Sequence, residues 1–137
     1  GGVSIEYDYG LEGHSDADVL IHAIIDALLG AAALGDIGKH FPNNEAKFKD
    51  ISSRELLRDV IGKLKSNNYI VGNIDATIIC EAPKMQSYIN QMRTNIADDC
   101  VCDLDVINIK ATTTEQLGFI GRSEGIAAQA VCLICKV

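Results

Sequence analysis

Asp18, His22 and Asp26 fall at i, i+4 and i+8, a single line along one helical face. Around them, from Val19 to Leu34, nearly every residue is apolar. Burying an acid–imidazole–acid stripe costs free energy unless each group is paired or bound to something. A neutral imidazole is a good metal ligand, and an acid one turn away can hold its second ring nitrogen. The alternative is a core histidine hydrogen-bonded to Asp26. Two further polar clusters follow segments that read as strands, Glu81-Ala82-Pro83-Lys84-Met85 and Thr112-Thr113-Thr114-Glu115. Three hydroxyls and a carboxylate at a strand end suit phosphate oxygens and a hard divalent cation. The same run also serves as a strand-end turn whose hydroxyls cap backbone, and Lys84 alone is an ordinary solvated charge. With His14-Ser15 at the head of the apolar segment, the clusters jointly point to a diphosphate site.

These clusters need a scaffold, and 137 residues, 47% of them hydrophobic, make one globular domain. Aromatics are few and Trp is absent, so the core is aliphatic. A net charge of −7 argues against nucleic acid or an anionic membrane as partner. The Val19–Leu34 run is too short to span a bilayer and is broken by His22 and Asp26. No targeting segment is visible, and Gly1-Gly2-Val3 reads as a start inside a longer product. Five cysteines without a secretory signal indicate free thiols in a reducing compartment. Cys132 and Cys135 lie in a strand, where residues three apart face opposite sides, so they read as packed thiols and not a metal pair.

Val3, Ile5 and Tyr7 alternate with polar residues as a first strand. Ser15 with Asp18 resembles a capping box that starts a helix at Asp16, closed by the glycines of Gly35-Asp36-Ile37-Gly38. Residues 39–50 form a polar loop, a lid or a plain connection. Ser52 and Glu55 cap a second helix with the stripe Leu56, Leu57, Val60, Ile61 and Leu64, which stops at residues 66–68. Strand Asn73–Cys80, a third helix through Ile89, Met92 and Ile96, strand Val106–Ala111 and closing strand Ile126–Val137 follow. The expected fold is α+β, a four-stranded mixed sheet with three helices packed on one face.

The motif His14-Ser15-Asp16-Ala17-Asp18 through His22, with Asp26 to Gly38, resembles the 2-C-methyl-D-erythritol 2,4-cyclodiphosphate synthase family. Phe41-Pro42, Ser52 to Leu57, Ala82-Pro83-Lys84-Met85, Lys110 to Glu115, Leu117 to Arg122 and Glu124 to Ala127 carry the same likeness over the whole chain, in order. The resemblance implies a cyclase of non-mevalonate isoprenoid synthesis. In that reaction the 2-phosphate of a cytidine diphosphate-linked methylerythritol attacks the β-phosphorus and CMP leaves. It implies zinc at His22, with two more ligands in an Asp-x-His motif and a further strand ahead of Gly1, and Mg²⁺ or Mn²⁺ at Glu115. His14 and Thr113 would stabilise the transition state, and Ser15 would help bind substrate. Cys80, Glu81, Ala82, Pro83, Lys84, Met85 and Gln86 would read cytosine, largely through backbone groups, and Thr112 and Thr114 would take phosphate oxygens. Asp36, Ile37, Gly38, Phe41, Pro42, Asn43, Asn44 and Glu45 would meet the methylerythritol phosphate or the ribose. Asn43-Asn44-Glu45 stands where the family commonly has a more acidic loop. Phe119 and Arg122 would lie toward the axis of a homotrimer whose active sites sit between subunits, in a bacterial cytoplasm or a plastid stroma. The competing readings are a non-catalytic trimeric binder of isoprenoid diphosphates and a metal-dependent phosphohydrolase.

Overall fold

In the computed structural model, residues 1–13 and 16–137 are described. In chain order the regular elements are α1 (Val19–Ala31), α2 (Ile37–His40), α3 (Ser53–Ser66), β1 (Tyr69–Ile79), α4 (Ile89–Cys100), β2 (Ile107–Thr112), α5 (Gly118–Gly121) and β3 (Ala127–Lys136), with single helical turns between some of them. The sheet runs β2-β1-β3, β1 pairing parallel with β2 and antiparallel with β3. The long helices α1, α3 and α4 cover one face of it. Ile74, Ala76 and Ile78 of β1 and Ile107 and Ile109 of β2 point into that layer, and all are buried. Leu20, Ile21, Ile24, Ile25, Leu28 and Leu29 of α1 meet them, so this helix is the centre of an aliphatic core.

The architecture is α+β with a mixed sheet, as expected, but three strands are present among the described residues where four were expected. Val3 and Ile5 do turn toward the core by alternation, yet the segment joins no ladder. Its first carbonyls, Gly1 and Gly2, accept from the Asn95 side-chain amide of α4 at 3.1 and 3.2 Å. Alternation decides which side faces inward; a strand also needs a sheet edge beside it.

Helix α1 begins at Val19 and not at Asp16. Ala17 is left-handed (φ 56) and Asp18 is extended, its carboxylate accepting the Ile21 N–H at 3.1 Å as the N-cap. It also ends earlier than the glycines suggest. Leu34 N–H bonds the Leu29 carbonyl at 2.9 Å and Ala33 N–H that of Gly30 at 3.0 Å, a Schellman stop with left-handed Ala33 (φ 56) in the usual glycine place. The loop expected over 39–50 contains the end of α2 and a helical turn at Ala46–Phe48.

Strand β1 starts four residues before the expected Asn73, because a bulge at Gly72 shifts its register against β3. Tyr69 and Val71 before it, and Ile74 after it, thereby all reach the core. A Cβ at Gly72 would stand 3.0 Å from the Leu133 carbonyl oxygen and from Cys135 Sγ. Cys132 is half-buried and Cys135 exposed, on opposite faces of β3, so Cys135 is not a packed thiol. The face without helices carries Asp75, Asn108 and Lys110 together with exposed Val131 and Leu133.

Candidate active site

His22 sits in the second turn of α1, half-buried, with Nε2 2.8 Å from Ser53 Oγ at the start of α3. Ser53 is fully buried and gives both its hydrogens to Asp16: the hydroxyl to Oδ1 and the backbone N–H to Oδ2 at 2.9 Å. Asp26, the partner of His22 in the alternative reading, accepts the Ile37 N–H at Oδ1, 2.8 Å away. One carboxylate of the stripe therefore caps α1 (Asp18) and the other ties α1 to α2 (Asp26). Asp36 caps α2 in turn, accepting the Lys39 N–H at 2.9 Å.

The result is a cavity of about 300 Å³ lined by His22, Ile37, Gly38, Phe41 and Asn43 among others, large enough for a small polar ligand. Phe41 is buried against Phe48 (ring centroids 5.4 Å apart, edge to face), with the Lys63 ammonium 4.7 Å from its ring centre. It anchors the wall, and Asn43 lines the cavity as well; Asn43, Asn44 and Glu45 are exposed and Pro42 is half-buried. His14 and Ser15 lie outside the described residues.

The other two clusters meet at the carboxyl ends of β1 and β2, the parallel pair, where Ile79 stands opposite Thr112. Cys80 N–H continues the ladder to the Thr112 carbonyl at 3.0 Å. Burial and the adjacent Glu81 charge push the Cys80 thiol up. Glu81 holds the neighbouring loop: its carboxylate accepts the Gln116 N–H at 2.8 Å and the Thr114 N–H at 3.2 Å. That clasp spans two consecutive left-handed residues, Glu115 (φ 53) and Gln116 (φ 65), in a loop that exposes Thr112, Thr113 and Glu115. Thr113 Oγ1 accepts the Glu115 N–H at 3.2 Å and Thr114 Oγ1 donates to the Leu117 carbonyl at 2.7 Å. The Thr run is thus both turn and candidate phosphate surface, the two alternatives at once. After the Ala82-Pro83 cis bond, Lys84 and Gln86 are exposed and Met85 is buried.

A larger cavity, about 610 Å³, includes Ala82, Pro83 and Met85 with Asp16 and Arg54, but neither His22 nor residues 112–115. Nor does any of residues 80–86 or 112–116 line the His22 cavity. Within one chain, then, the site residues form two groups. Phe119 is exposed in α5 and Arg122 pairs with Glu124 at 2.8 Å, apart from both cavities except through Glu124.

Among the described residues no group of three or more His, Cys, Asp or Glu side chains could hold a metal ion. His22 fits a metal as a single donor: one ring nitrogen is held by an oriented hydroxyl, the usual support of a ligating histidine. Glu115 fits as one hard oxygen donor on an exposed loop beside two hydroxyls. Sequence reasoning missed Ser53 and Asp16 as support for His22. The signal was the pair Ser52-Ser53, of which only Ser52 caps α3, accepting the Arg54 N–H at 3.2 Å. It also missed Asp99, a buried carboxylate of α4 gripped by Arg54 and Arg58 of α3. No helix among the described residues is long and apolar enough to cross a membrane.

The model of the YgbB family matches residues 1–135. The 2-C-methyl-D-erythritol 2,4-cyclodiphosphate synthase of Methylobacillus flagellatus is 63% identical over 136 residues, covering 99% of this chain and 85% of that protein. The bifunctional IspDF of Campylobacter jejuni superposes with a TM-score of 0.95 at 43% identity, over 99% of this chain and 37% of that one. The CDP complex of IspF from Plasmodium falciparum gives a TM-score of 0.80 at 33% identity, over 91% of this chain and 75% of its own.

Proposed function

The chain belongs to the YgbB family and its activity is that of a 2-C-methyl-D-erythritol 2,4-cyclodiphosphate synthase, a lyase of isoprenoid biosynthesis; we propose that it acts on 4-diphosphocytidyl-2-C-methyl-D-erythritol 2-phosphate by in-line displacement at the β-phosphorus. A 2-phosphate oxygen forms the new P–O bond, the bond from the β-phosphorus to the oxygen bridging it to the α-phosphorus breaks, and that electron pair departs with CMP. Such a reaction asks the protein for alignment and charge neutralisation more than for covalent chemistry.

The observation that carries this reading is the convergence of His22 of α1 with Ile37, Gly38, Phe41 and Asn43 of the α2 segment on one cavity. Asp26 and Asp36 fix the α2 backbone that would face the methylerythritol phosphate. Residues 80–86 would receive the cytosine. Thr112, Thr113 and Thr114, on the loop that Glu81 clasps, would donate to phosphate oxygens. His14 and Thr113 would meet the charge that develops on the transferring phosphoryl group, and Ser15 the bound substrate. His22, with donors that the resemblance puts ahead of Gly1, would hold zinc, and Glu115 would hold Mg²⁺ or Mn²⁺; bound there, such cations supply Lewis-acid neutralisation of the phosphates.

The separation of the two residue groups within one chain favours a homotrimer in which neighbouring subunits complete each site. The helix-free sheet face, with Val131 and Leu133 at 65% and 69% exposure, offers the apolar surface such an assembly would bury. Phe119 and Arg122 would then face the trimer axis, and the setting would be a bacterial cytoplasm or a plastid stroma. Phosphorus NMR of the full-length protein with substrate tests the reaction: a cyclic diphosphate and CMP are expected. Acyclic methylerythritol 2,4-bisphosphate with CMP would make it a phosphohydrolase, and bound but unconverted substrate a binding protein. His22→Ala is expected to lose zinc by elemental analysis, and full zinc occupancy in that variant refutes the ligand assignment.

A further inference from the structure

Resting on the reading of His22 as a zinc donor, we propose that Asp16 and Ser53 are positioning residues that fix His22 in its Nε2–H tautomer and so make Nδ1 the atom it offers to the metal. Ser53 Oγ owns one proton, and its contact with Asp16 Oδ1 uses it. Asp16 accepts at both oxygens: the Ser53 hydroxyl and the Asp18 N–H (3.2 Å) reach Oδ1, and the Ser53 N–H (2.9 Å) reaches Oδ2. With its proton committed, Ser53 Oγ can only accept from His22 Nε2, 2.8 Å away. A neutral imidazole that donates from Nε2 carries its lone pair on Nδ1.

Ser53 is rigid enough for the purpose. It is fully buried in the first turn of α3, and its backbone and hydroxyl grip the same carboxylate. Its neighbour Arg54 pins that turn to α4 through Asp99, with Nε–Oδ2 at 2.7 Å. Asp16, Ser53 and His22 come from the segment before α1, from α3 and from α1, so the relay also sets how those three elements meet.

The test uses ¹⁵N-histidine NMR of the metal-free full-length protein, at a pH where the rings are neutral, with the His22 signal assigned by its absence from His22→Ala. Wild type is expected to show a single Nε2–H tautomer at His22. Ser53→Ala should give a mixture in which Nδ1–H is populated, and its zinc affinity should fall about 10–100-fold, the usual effect of losing such a support. Ser53→Thr, which keeps the hydroxyl, should restore both. If Ser53→Ala does not fold, Asp16→Asn gives the same reading, because an amide can donate to Ser53 Oγ and free its proton for His22. A wild-type ring in the Nδ1–H form, or a folded Ser53→Ala with unchanged tautomer and unchanged zinc affinity, overturns the proposal. Zinc retained by His22→Ala refutes the metal reading instead, and the tautomer of the metal-free ring still decides the relay.

Discussion

Replacing Asp99 by Asn tests how α3 and α4 are held together. The carboxylate is 3% exposed and receives three charge-assisted bonds, from Arg54 Nε (2.7 Å) and Nη2 (3.0 Å) and from Arg58 Nη1 (2.9 Å). The hydrogen bonds to Asp99, and then its charge, also raise the affinity of the Arg54 guanidinium for its proton. Removing one partner of a fully buried ion pair costs about 3–5 kcal/mol, because the remaining charge is stranded. Here the arginine side chains are 31% and 50% exposed and regain part of their hydration, which brings Asp99→Asn to roughly 2–3 kcal/mol. Arg58→Ala leaves Asp99 with its bidentate partner and removes a half-exposed charge, so it should cost under about 1 kcal/mol. Urea unfolding at one fixed protein concentration measures both, as a shift in midpoint at constant slope. Asp99→Asn within about 0.5 kcal/mol of wild type, or Arg58→Ala as costly as Asp99→Asn, would refute the argument that burial of the acid sets the magnitude.

Glu81→Ala should release the Thr114 and Gln116 amides, read as faster hydrogen exchange at those two positions, with Glu81→Gln in between; unchanged exchange would mean the clasp does not hold the loop. Gly72→Ala should lower stability by about 1–2 kcal/mol, since its Cβ meets the Leu133 carbonyl oxygen at 3.0 Å, and a melting temperature equal to wild type would show the bulge can relax. The hydrogen bond from Lys110, backed by that from Asn108, holds the Asp75 carboxyl below the usual carboxylate range. A depressed carboxyl contributes stability that is fully present above its ordinary titration and lost as pH falls through the lowered value. The stability difference between wild type and Asp75→Asn should therefore be constant at neutral pH and shrink on acidification; a difference that grows in acid contradicts the sign.

What the sequence could show was governed by range. The inward face of β1 was legible because side-chain alternation is a local property, and Ile74, Ala76 and Ile78 are buried as that period requires. The α3 stripe was legible for the same reason, with Leu56, Leu57, Val60 and Leu64 buried. The first strand was not, since Val3 and Ile5 alternate correctly but pairing depends on what lies beside them. The start of α1 was misplaced because Ser15 and Asp18 both suit an N-cap, and the left-handed Ala17 decided for Asp18. Its end was misplaced because an alanine occupies a conformation that glycine usually takes. At the site, residue types named His22 and the Thr run, and the resemblance added Asp36. The partners were out of reach: Ser53 is 31 positions from His22 and 37 from Asp16, and no spacing rule links them. Glu81 showed itself as a polar residue after a strand, but its role as an acceptor for a loop 33–35 residues onward needed the parallel pairing of β1 and β2.

Helix α1 supplies six of the most deeply buried side chains and the imidazole as well, within 13 residues. Rotating or sliding it to relocate His22 would drag Leu20, Ile24 and Leu28 out of the interior, so the position of the ring is locked to the integrity of the whole molecule. Tuning of this centre over evolutionary time, or by an engineer, is thereby channelled into what surrounds the ring, above all the exposed residues Asn43 to Glu45 that follow α2, where substitutions leave the packing of α1 alone.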